Sequence, residues 1–187
     1  MKILLALGAN LPSIWGNPAE TLSEAIGRLS ECIGADVEFG QFYVAPAVPS
    51  GSGPDFINTV ASLDATILPE KLLAICHKIE NQARRIRDNR WGPRTLDIDL
   101  IACDQEVRPD LAGFHEWLTL PMDEQKHRAP QSLILPHPRI QDRAFVLVPM
   151  CDVAPDWRHP VLGQTSTEML AALPAAERTV IRPYETP

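Results

Sequence analysis

The order of strand-like and helix-like segments is the feature that most restricts the fold of this chain. Four short segments have the apolar or alternating pattern of strands: residues 3–7, 36–44, 56–63 and 96–101. Two longer segments repeat apolar residues at helical spacing: residues 18–33 and 69–83. The resulting order is strand, helix, strand, strand, helix, strand. It predicts an α+β protein with a ferredoxin-like βαββαβ core, in which an antiparallel sheet carries both helices on one face.

The start of the first helix is marked by a capping sequence. Asn17 can cap the helix, and Pro18 suits the first helical position. Glu20 stands three residues after Asn17, where the acid of a capping box belongs. We therefore predict that this helix begins at Pro18.

The remainder of the chain has weaker signals. Residues 105–132 are polar and irregular, and residues 133–157 return to apolar content. An Ala/Leu-rich stretch near residues 166–173 predicts one more helix, followed by a proline-containing tail at 174–187. A length of 187 residues suits a single domain, which we place over residues 1–187 with a C-terminal extension.

Charge and composition exclude several classes of protein. The net charge of −7 argues against a general nucleic-acid binder, although a local basic cluster could still bind a small anion. The four cysteines form no CxxC pair, so no zinc site is predicted. The apolar N-terminus ends at Gly8, too short for a signal peptide, and no stretch approaches a membrane span. We expect a cytoplasmic protein that binds no membrane.

Two carboxylates and a group of arginines carry the chemistry that the sequence predicts. Asp97 and Asp99 are two apart on a strand, so they point to one face, and paired carboxylates suit hard cations such as Mg²⁺. Five arginines precede or join them, and guanidinium groups match phosphate oxygens: Arg84, Arg85, Arg87, Arg90 and Arg94. The ordinary alternative is a solvated strand face beside a solvated loop. The combination favours polyphosphate chemistry, to which His137, Arg139 and Arg143 could add.

These residues resemble the signature of a known family. The run Arg-Trp-Gly-Pro-Arg-Thr-Leu-Asp-Ile-Asp at residues 90–99 resembles that of the 6-hydroxymethyl-7,8-dihydropterin pyrophosphokinases. Three further segments agree in order with that family: residues 7–11, 55–58 and 135–147. The resemblance covers about residues 2–157, apart from an insert that we place at residues 109–131.

The resemblance implies a reaction and its cofactor. It implies transfer of pyrophosphate from ATP, the co-substrate, to the hydroxymethyl group of the pterin, with release of AMP, in folate biosynthesis. Asp97 and Asp99 would hold two Mg²⁺ ions. Arg85 and Arg87, on a mobile loop, would close over the phosphates. We expect no nucleic-acid partner, a monomeric state and an optional association with other folate enzymes.

The resemblance also assigns the two substrates to separate groups of residues. The groups that would contact ATP are His77, Glu80, Arg94, Ile98, His137 and Arg143. Those that would contact the pterin are the backbone near Ala45, Pro46 and Val48, the amide of Asn58, the rings of Phe56 and Phe145, and Trp91 of the closing loop. A flat heteroaromatic ring binds well between two aromatic faces.

The chain departs from the family pattern at several positions. Arg84 stands where the family commonly has glycine, which puts the flexibility of the loop in question. Ala9, Ala45 and Ser132 replace a common serine, a common threonine and an arginine of some members. The insert at residues 109–131 is either a surface excursion or a cover over the active site.

Three other functions are weaker alternatives. An RNA-binding module would use aromatics on the sheet face, and the acidic balance speaks against it. A metal-dependent nuclease would need a third acid or a base beside Asp97 and Asp99. A Walker-type kinase is excluded because no GxxxxGK[ST] run occurs in the chain.

Overall fold

A central antiparallel sheet organises the part of the chain that the computed structural model describes, which is residues 1–47, 51, 53–83, 94–121, 124 and 127–185. Its strands are β1 (Lys2–Ala9), β2 (Val37–Phe39), β3 (Tyr43–Ala45), β4 (Phe56–Asp64), β5 (Asp97–Cys103) and β6 (Arg182–Pro183). They lie in the order β5-β1-β4-β3-β6, and β2 pairs with β4 beside β3. Every pair is antiparallel. The predicted α+β class and ferredoxin-like core are confirmed.

The first two helices of the chain cover one face of the sheet, as the sequence predicts. In the described residues the helices are α1 (Pro18–Ile33), α2 (Pro69–Gln82), α3 (Leu111–Leu118), α4 (Ala144–Val153), α5 (Ser166–Ala172) and α6 (Ala175–Thr179). The predicted capping box starts α1. The Asn17 side-chain oxygen accepts from the Glu20 backbone N–H at 3.0 Å, and the Glu20 carboxylate accepts from the Asn17 backbone N–H at 2.7 Å. Buried residues of α1 and α2 pack with Ile3, Leu5 and Leu7 of β1.

The C-terminal extension covers the opposite face of the sheet, which the sequence did not predict. Leu4 and Val60 point to this second face and pack with Leu147 and Met150 of α4 and Met169 of α5. The molecule therefore has three layers, with α1 and α2 on the first face and α4 and α5 on the second. A ligand can reach the second face of the sheet only where this helix layer does not cover it.

The predicted strand at 36–44 is divided into β2 and β3. Gly40 lies against the end of α4, where a Cβ atom would come within 2.9 Å of the Pro149 carbonyl oxygen. The Gln41 N–H donates to Asp152 Oδ2 at 2.9 Å instead of to a neighbouring strand. The strand is therefore interrupted by a carboxylate from a distant helix. Within the predicted tail, β6 pairs with β3 and extends the sheet.

Helix α3 lies within the predicted insert and is anchored by one aromatic side chain. Phe114 is fully buried, and its ring centroid lies 5.6 Å from that of His159, which in turn lies 5.6 Å from Trp157. Trp157 Nε1 donates to the Asp104 carbonyl oxygen at 3.2 Å. Asp104 follows β5 at the end opposite Asp97, so α3 packs at that end. This position favours the interpretation that α3 is a surface excursion and does not cover the residues near Asp97. The limits of the insert stay a prediction.

The histidine beneath α3 predicts a loss of stability in acid. His159 is fully buried, its Nδ1 accepts from the backbone N–H groups of Val161 and Leu162, and burial lowers its pKa from 6.5 to about 4. Between those values the unfolded chain binds a proton that the folded chain does not bind. The stability contributed by neutral His159 is therefore present above pH 6.5 and is lost as the pH falls towards about 4.

We expect His159→Asn to lose less stability in acid than the wild type. Asparagine does not titrate, and its side-chain oxygen can accept from the same N–H groups. The test compares the free energy of unfolding in urea near neutral pH and at about pH 5 for both proteins. The comparison isolates His159, because other acid-sensitive groups are shared. Equal losses in the two proteins would contradict the assignment.

Candidate active site

A row of residues crosses four strands at the Gly8 end of the sheet. Asp97 of β5 lies opposite Gly8 of β1, Gly8 lies opposite Asn58 of β4, and Asn58 lies opposite Tyr43 of β3. Residues directly opposite in an antiparallel pair point to the same face. The row, which we call the polar row, therefore presents a carboxylate, a position without a side chain, an amide and a phenol on the second face.

Gly8 keeps the middle of the polar row open. A Cβ atom at Gly8 would lie 2.9 Å from Asn58 Oδ1 and 3.8 Å from a ring carbon of Phe56. Asn58 and Phe56 are two apart on β4, so they share this face and approach β1 together. Glycine at this position leaves space for the amide and the ring on the same floor as the Asp97 carboxylate.

The close approach at Gly8 makes a testable prediction. Gly8→Ala would push against the Asn58 amide, which the family resemblance assigns to the pterin. We therefore expect the KM for the pterin to rise about tenfold, with a much smaller change in the KM for ATP. Steady-state kinetics with each substrate varied in turn measures both values. Gly27→Ala is the matched control, because a Cβ atom added at this helical glycine would meet none of the described residues within 4 Å. An equal rise in both KM values would contradict a role for Asn58 in binding the pterin.

Asp97 and Asp99 project from β5 as the strand alternation predicts. Ile98 between them is 3% exposed and belongs to the core of the first face. The side chains of Asp97 and Asp99 are 22% and 42% exposed on the second face. Each is paired with an arginine: Arg94 with Asp97, and Arg143 with Asp99 at 3.5 Å. The two carboxylates and two guanidinium groups form one cluster at the edge of the polar row.

The start of α4 brings an aromatic ring to this cluster. Arg143 precedes α4 and Phe145 lies in its first turn. The Arg143 Cζ atom lies 5.7 Å from the centroid of the Phe145 ring, a cation–π distance. Phe145 is 37% exposed, so part of its ring is accessible to a ligand. The helix thus places a partly exposed ring beside the Arg143 guanidinium, which pairs with Asp99.

His137 lies beside the arginines in a neutral state. Its backbone N–H donates to the Ile101 carbonyl oxygen at 2.8 Å, and its ring Nδ1 accepts from the Arg139 backbone N–H at 3.1 Å. Loss of water around the ring, then the charge of Arg143, and to a lesser degree that of Arg139, lower its pKa well below 6.5. Since Nδ1 is an acceptor, the neutral ring carries its hydrogen on Nε2 and can donate from there.

Glu80 supports β5 from the end of α2. It is 1% exposed, and its Oε1 accepts from the Ile98 N–H at 2.8 Å. The bond holds the peptide between the two aspartates, at the outer edge of the sheet. His77 stands one turn earlier on the same helix. The structure therefore brings together Glu80, Ile98 and the aspartates, to which the family resemblance gives roles at the nucleotide and the metal.

The predicted pterin residues are only partly described. Ala45 is buried at the end of β3, opposite Phe56, and Pro46 follows it with an exposed side chain. Asn58 is 6% exposed, and its amide makes a long 3.5 Å contact with the Phe56 carbonyl oxygen. Four predicted site residues lie outside the described residues: Val48, Arg85, Arg87 and Trp91.

Asn10 is a structural part of the site whose role was not predicted from the sequence. It is 4% exposed, its Oδ1 accepts from the Arg94 N–H at 2.7 Å, and its Nδ2 donates to the Pro54 carbonyl at 3.0 Å. It therefore ties the segments that enter β4 and β5 to the end of β1. The signal in the sequence was the Gly-Ala-Asn-Leu turn directly after a buried strand, which invites a side-chain bond across the turn.

The fold and the site together define a class of protein. A ferredoxin-like sheet carries paired carboxylates, arginines and a neutral histidine at one end, beside an amide and two aromatic rings. Such a donor set can handle a polyphosphate and a flat polar ring at the same time. The class is that of a transferase acting on a nucleotide. The described residues contain no helix long and apolar enough to span a membrane.

Comparison with known proteins narrows this class to one family. The sequence profile of the 7,8-dihydro-6-hydroxymethylpterin-pyrophosphokinases (HPPK) matches residues 4–155. The 2-amino-4-hydroxy-6-hydroxymethyldihydropteridine pyrophosphokinase of Pseudomonas aeruginosa is 35% identical over 176 residues, which cover 92% of each protein. The protein of the same name from Synechocystis is 34% identical over 89% of this chain and 73% of its own length. The chain belongs to the HPPK family.

Solved structures agree on the fold. A crystal structure of Plasmodium falciparum HPPK-DHPS superposes with a TM-score of 0.61 at 13% sequence identity. The match covers 91% of this chain and 44% of that chain, so this chain spans less than half of that protein. At this identity the likeness supports the fold alone. The predicted resemblance to the pyrophosphokinase family is confirmed by the profile and the relatives.

Proposed function

We propose that the Gly8 end of the second face is the active site for this family's reaction. The chain transfers pyrophosphate from ATP to the hydroxymethyl group of 6-hydroxymethyl-7,8-dihydropterin, releasing AMP, in folate biosynthesis. The observation that carries the site assignment is the polar row, because it joins a carboxylate and an amide across a glycine on one face. The two substrates would meet above that glycine.

The pterin half of the site is the Asn58 side. The Asn58 amide offers a donor and an acceptor to the edge of a pterin ring, and its 3.5 Å contact with the Phe56 carbonyl is long enough to yield to a ligand. Phe56 on β4 and Phe145 on α4 approach from the sheet and from the helix layer, as the two faces of a sandwich require. The backbone at Ala45 and Pro46, with Val48, would complete the pocket. The proposal is supported by the shared face and the exposure of Phe145.

The phosphate half of the site is the Asp97 side. Among the described residues no cluster of three or more His, Cys, Asp or Glu could hold a metal. Asp97 and Asp99 alone suit Mg²⁺ that brings its remaining oxygen ligands from phosphates and water. The partly exposed carboxylates fit that donor set, and we propose two ions between them and ATP. Such ions would offset the charge of the phosphates during transfer.

The remaining groups would orient the nucleotide. Arg94, His137 and Arg143 present donors to the phosphates on the same side as the carboxylates. His77, Glu80 and Ile98 lie along the edge of β5, where the base and ribose would extend. Arg85 and Arg87, with Trp91, would close over the phosphates and exclude water.

The chemical step then needs alignment more than covalent help. The pterin hydroxymethyl oxygen attacks the β-phosphorus of ATP, and the bond from that phosphorus to the bridging oxygen of the α-phosphate breaks. AMP leaves with the bridging oxygen, and the hydroxyl proton is released. Holding the attacking oxygen above Gly8 and in line with that bond supplies most of the rate. A cytoplasmic location, a monomeric state and association with other folate enzymes belong to the same proposal.

Product analysis tests the proposed reaction. The purified protein is incubated with ATP and MgCl₂, with and without 6-hydroxymethyl-7,8-dihydropterin, and the products are identified by mass spectrometry. We expect AMP and the pterin diphosphate in equal amounts, and neither without the pterin. ADP and a pterin monophosphate would mean attack at the γ-phosphorus and would contradict the mechanism.

A further inference from the structure

Each carboxylate of the proposed metal site is already occupied by an arginine. Arg94, just before β5, pairs with Asp97, and Arg143, just before α4, pairs with Asp99 at 3.5 Å. The Arg94–Asp97 pair is local, because the two residues are three apart in the chain. Arg143 instead reaches Asp99 from the second helix layer. Both carboxylates that would bind a metal ion are therefore paired with a guanidinium group of the protein itself.

The pairing stabilises the two aspartates in the absence of ligands. Two carboxylates on one face of a strand, about 6.5–7 Å apart, repel each other. A guanidinium group carries a positive charge, so each arginine offsets part of this repulsion. All four side chains are between 21% and 42% exposed, which leaves each arginine able to move. Surface pairs of this kind are weak enough to exchange partners.

A guanidinium group and a metal ion compete for the same carboxylate oxygens. A phosphate offers an arginine a second partner with matching two-point geometry and more charge. When ATP arrives, its phosphates can take the arginines, and the carboxylates become available to the metal. Each exchange replaces an arginine–carboxylate pair by an arginine–phosphate pair and a metal–carboxylate pair.

We propose that Arg94 and Arg143 act as exchangeable counter-cations that keep divalent metal out of the site until the nucleotide binds. Metal and nucleotide then bind cooperatively, and by linkage each raises the affinity for the other by the same factor. This inference rests on the proposed function, since it assumes that Asp97 and Asp99 are the metal ligands. It adds a second role to the two arginines, which act on the metal before they act on the phosphates.

The test measures metal binding without catalysis. Mn²⁺ replaces Mg²⁺, and free Mn²⁺ is followed by electron paramagnetic resonance, with and without the non-cleavable α,β-methylene analogue of ATP. Titrations without protein give the Mn²⁺ that the analogue binds by itself, and this amount is subtracted. The proteins are the wild type, Arg143→Gln, Arg94→Gln and Arg143→Lys, which keeps the charge. Arg158→Gln is the matched control, because Arg158 is paired with Glu168 at 3.8 Å and lies near the Asp104 end of β5.

The inference predicts that removing either arginine changes Mn²⁺ affinity mainly when no nucleotide is bound. Without the analogue, Arg143→Gln and Arg94→Gln should bind Mn²⁺ about tenfold more tightly than the wild type, the scale expected for one charge removed beside the ion. Arg143→Lys should stay closer to the wild type, and Arg158→Gln should match it. In both glutamine variants the gain in Mn²⁺ affinity on adding the analogue should shrink.

Two results would overturn the inference, and they differ in meaning. If the wild type binds Mn²⁺ with the analogue but neither glutamine variant gains affinity without it, the exchange is wrong and the metal site stands. If the wild type binds no Mn²⁺ even with the analogue, the proposed metal site fails and the exchange fails with it. Tighter binding in Arg158→Gln as well would show a general charge effect and would also contradict the exchange.

Discussion

Asp97→Asn is expected to lower kcat by about a thousandfold while leaving the fold intact, because the amide removes a charged oxygen ligand from the phosphate half of the site. Asp97 is 22% exposed and lies at the edge of the sheet, so the substitution changes no core packing. It also leaves the Arg94 guanidinium without its carboxylate. The measurement is the initial rate of AMP formation at saturating ATP, MgCl₂ and pterin.

The control for this prediction lies on the same segment of chain. Asp104 follows β5 at the opposite end, and its Oδ1 accepts from the Lys2 N–H at 2.6 Å. Asp104→Asn keeps an oxygen for that bond and tolerates the positive φ of 45° at this residue. We expect it to retain wild-type kcat. Activity in Asp97→Asn within about tenfold of the wild type would contradict a ligand role for Asp97.

Phe114→Ala is expected to destabilise the fold by about 3–5 kcal/mol, because it removes a fully buried ring that packs on His159. The same substitution should leave kcat unchanged at temperatures where the variant stays folded, since α3 packs at the Asp104 end of β5. Urea unfolding followed by fluorescence gives the first value, and the AMP assay gives the second.

Leu111→Ala on the same helix is the matched control. Leu111 is 55% exposed, so its loss should change the free energy of unfolding by no more than about 0.5 kcal/mol. A fall in kcat with Phe114→Ala, at a temperature where the protein is folded, would show that the insert acts on the site. That result would revive the alternative of a cover and contradict the surface excursion.

The sequence predicted features that depend on neighbours in the chain. Asn17, Pro18 and Glu20 determine the start of α1 because the capping bonds join residues three apart. The alternation around Ile98 predicted that Asp97 and Asp99 share a face, because side chains of a strand alternate by geometry alone. The family resemblance assembled the same residues into a reaction, and the profile and relatives confirm that family.

Features that depend on distant contacts were not predicted. The division of residues 36–44 into two strands follows from Asp152, which reaches Gln41 from more than a hundred residues away. The second helix layer required knowing that α4 packs on β4, and apolar content alone does not choose a face. The polar row required the register of three strand pairs. The ion pair between Arg143 and Asp99 depends on the packing of α4 on the sheet and on the pairing of β5 with its neighbour.

The most direct test of the proposed site is anomalous diffraction from crystals grown with Mn²⁺, the α,β-methylene analogue of ATP and the pterin. We expect two anomalous peaks on the second face of the sheet, each within reach of an Asp97 or Asp99 oxygen and of a phosphate oxygen. We also expect the pterin ring above Gly8, between Phe56 and Phe145. Manganese on the first face, or a pterin bound away from Asn58, would contradict the proposed site.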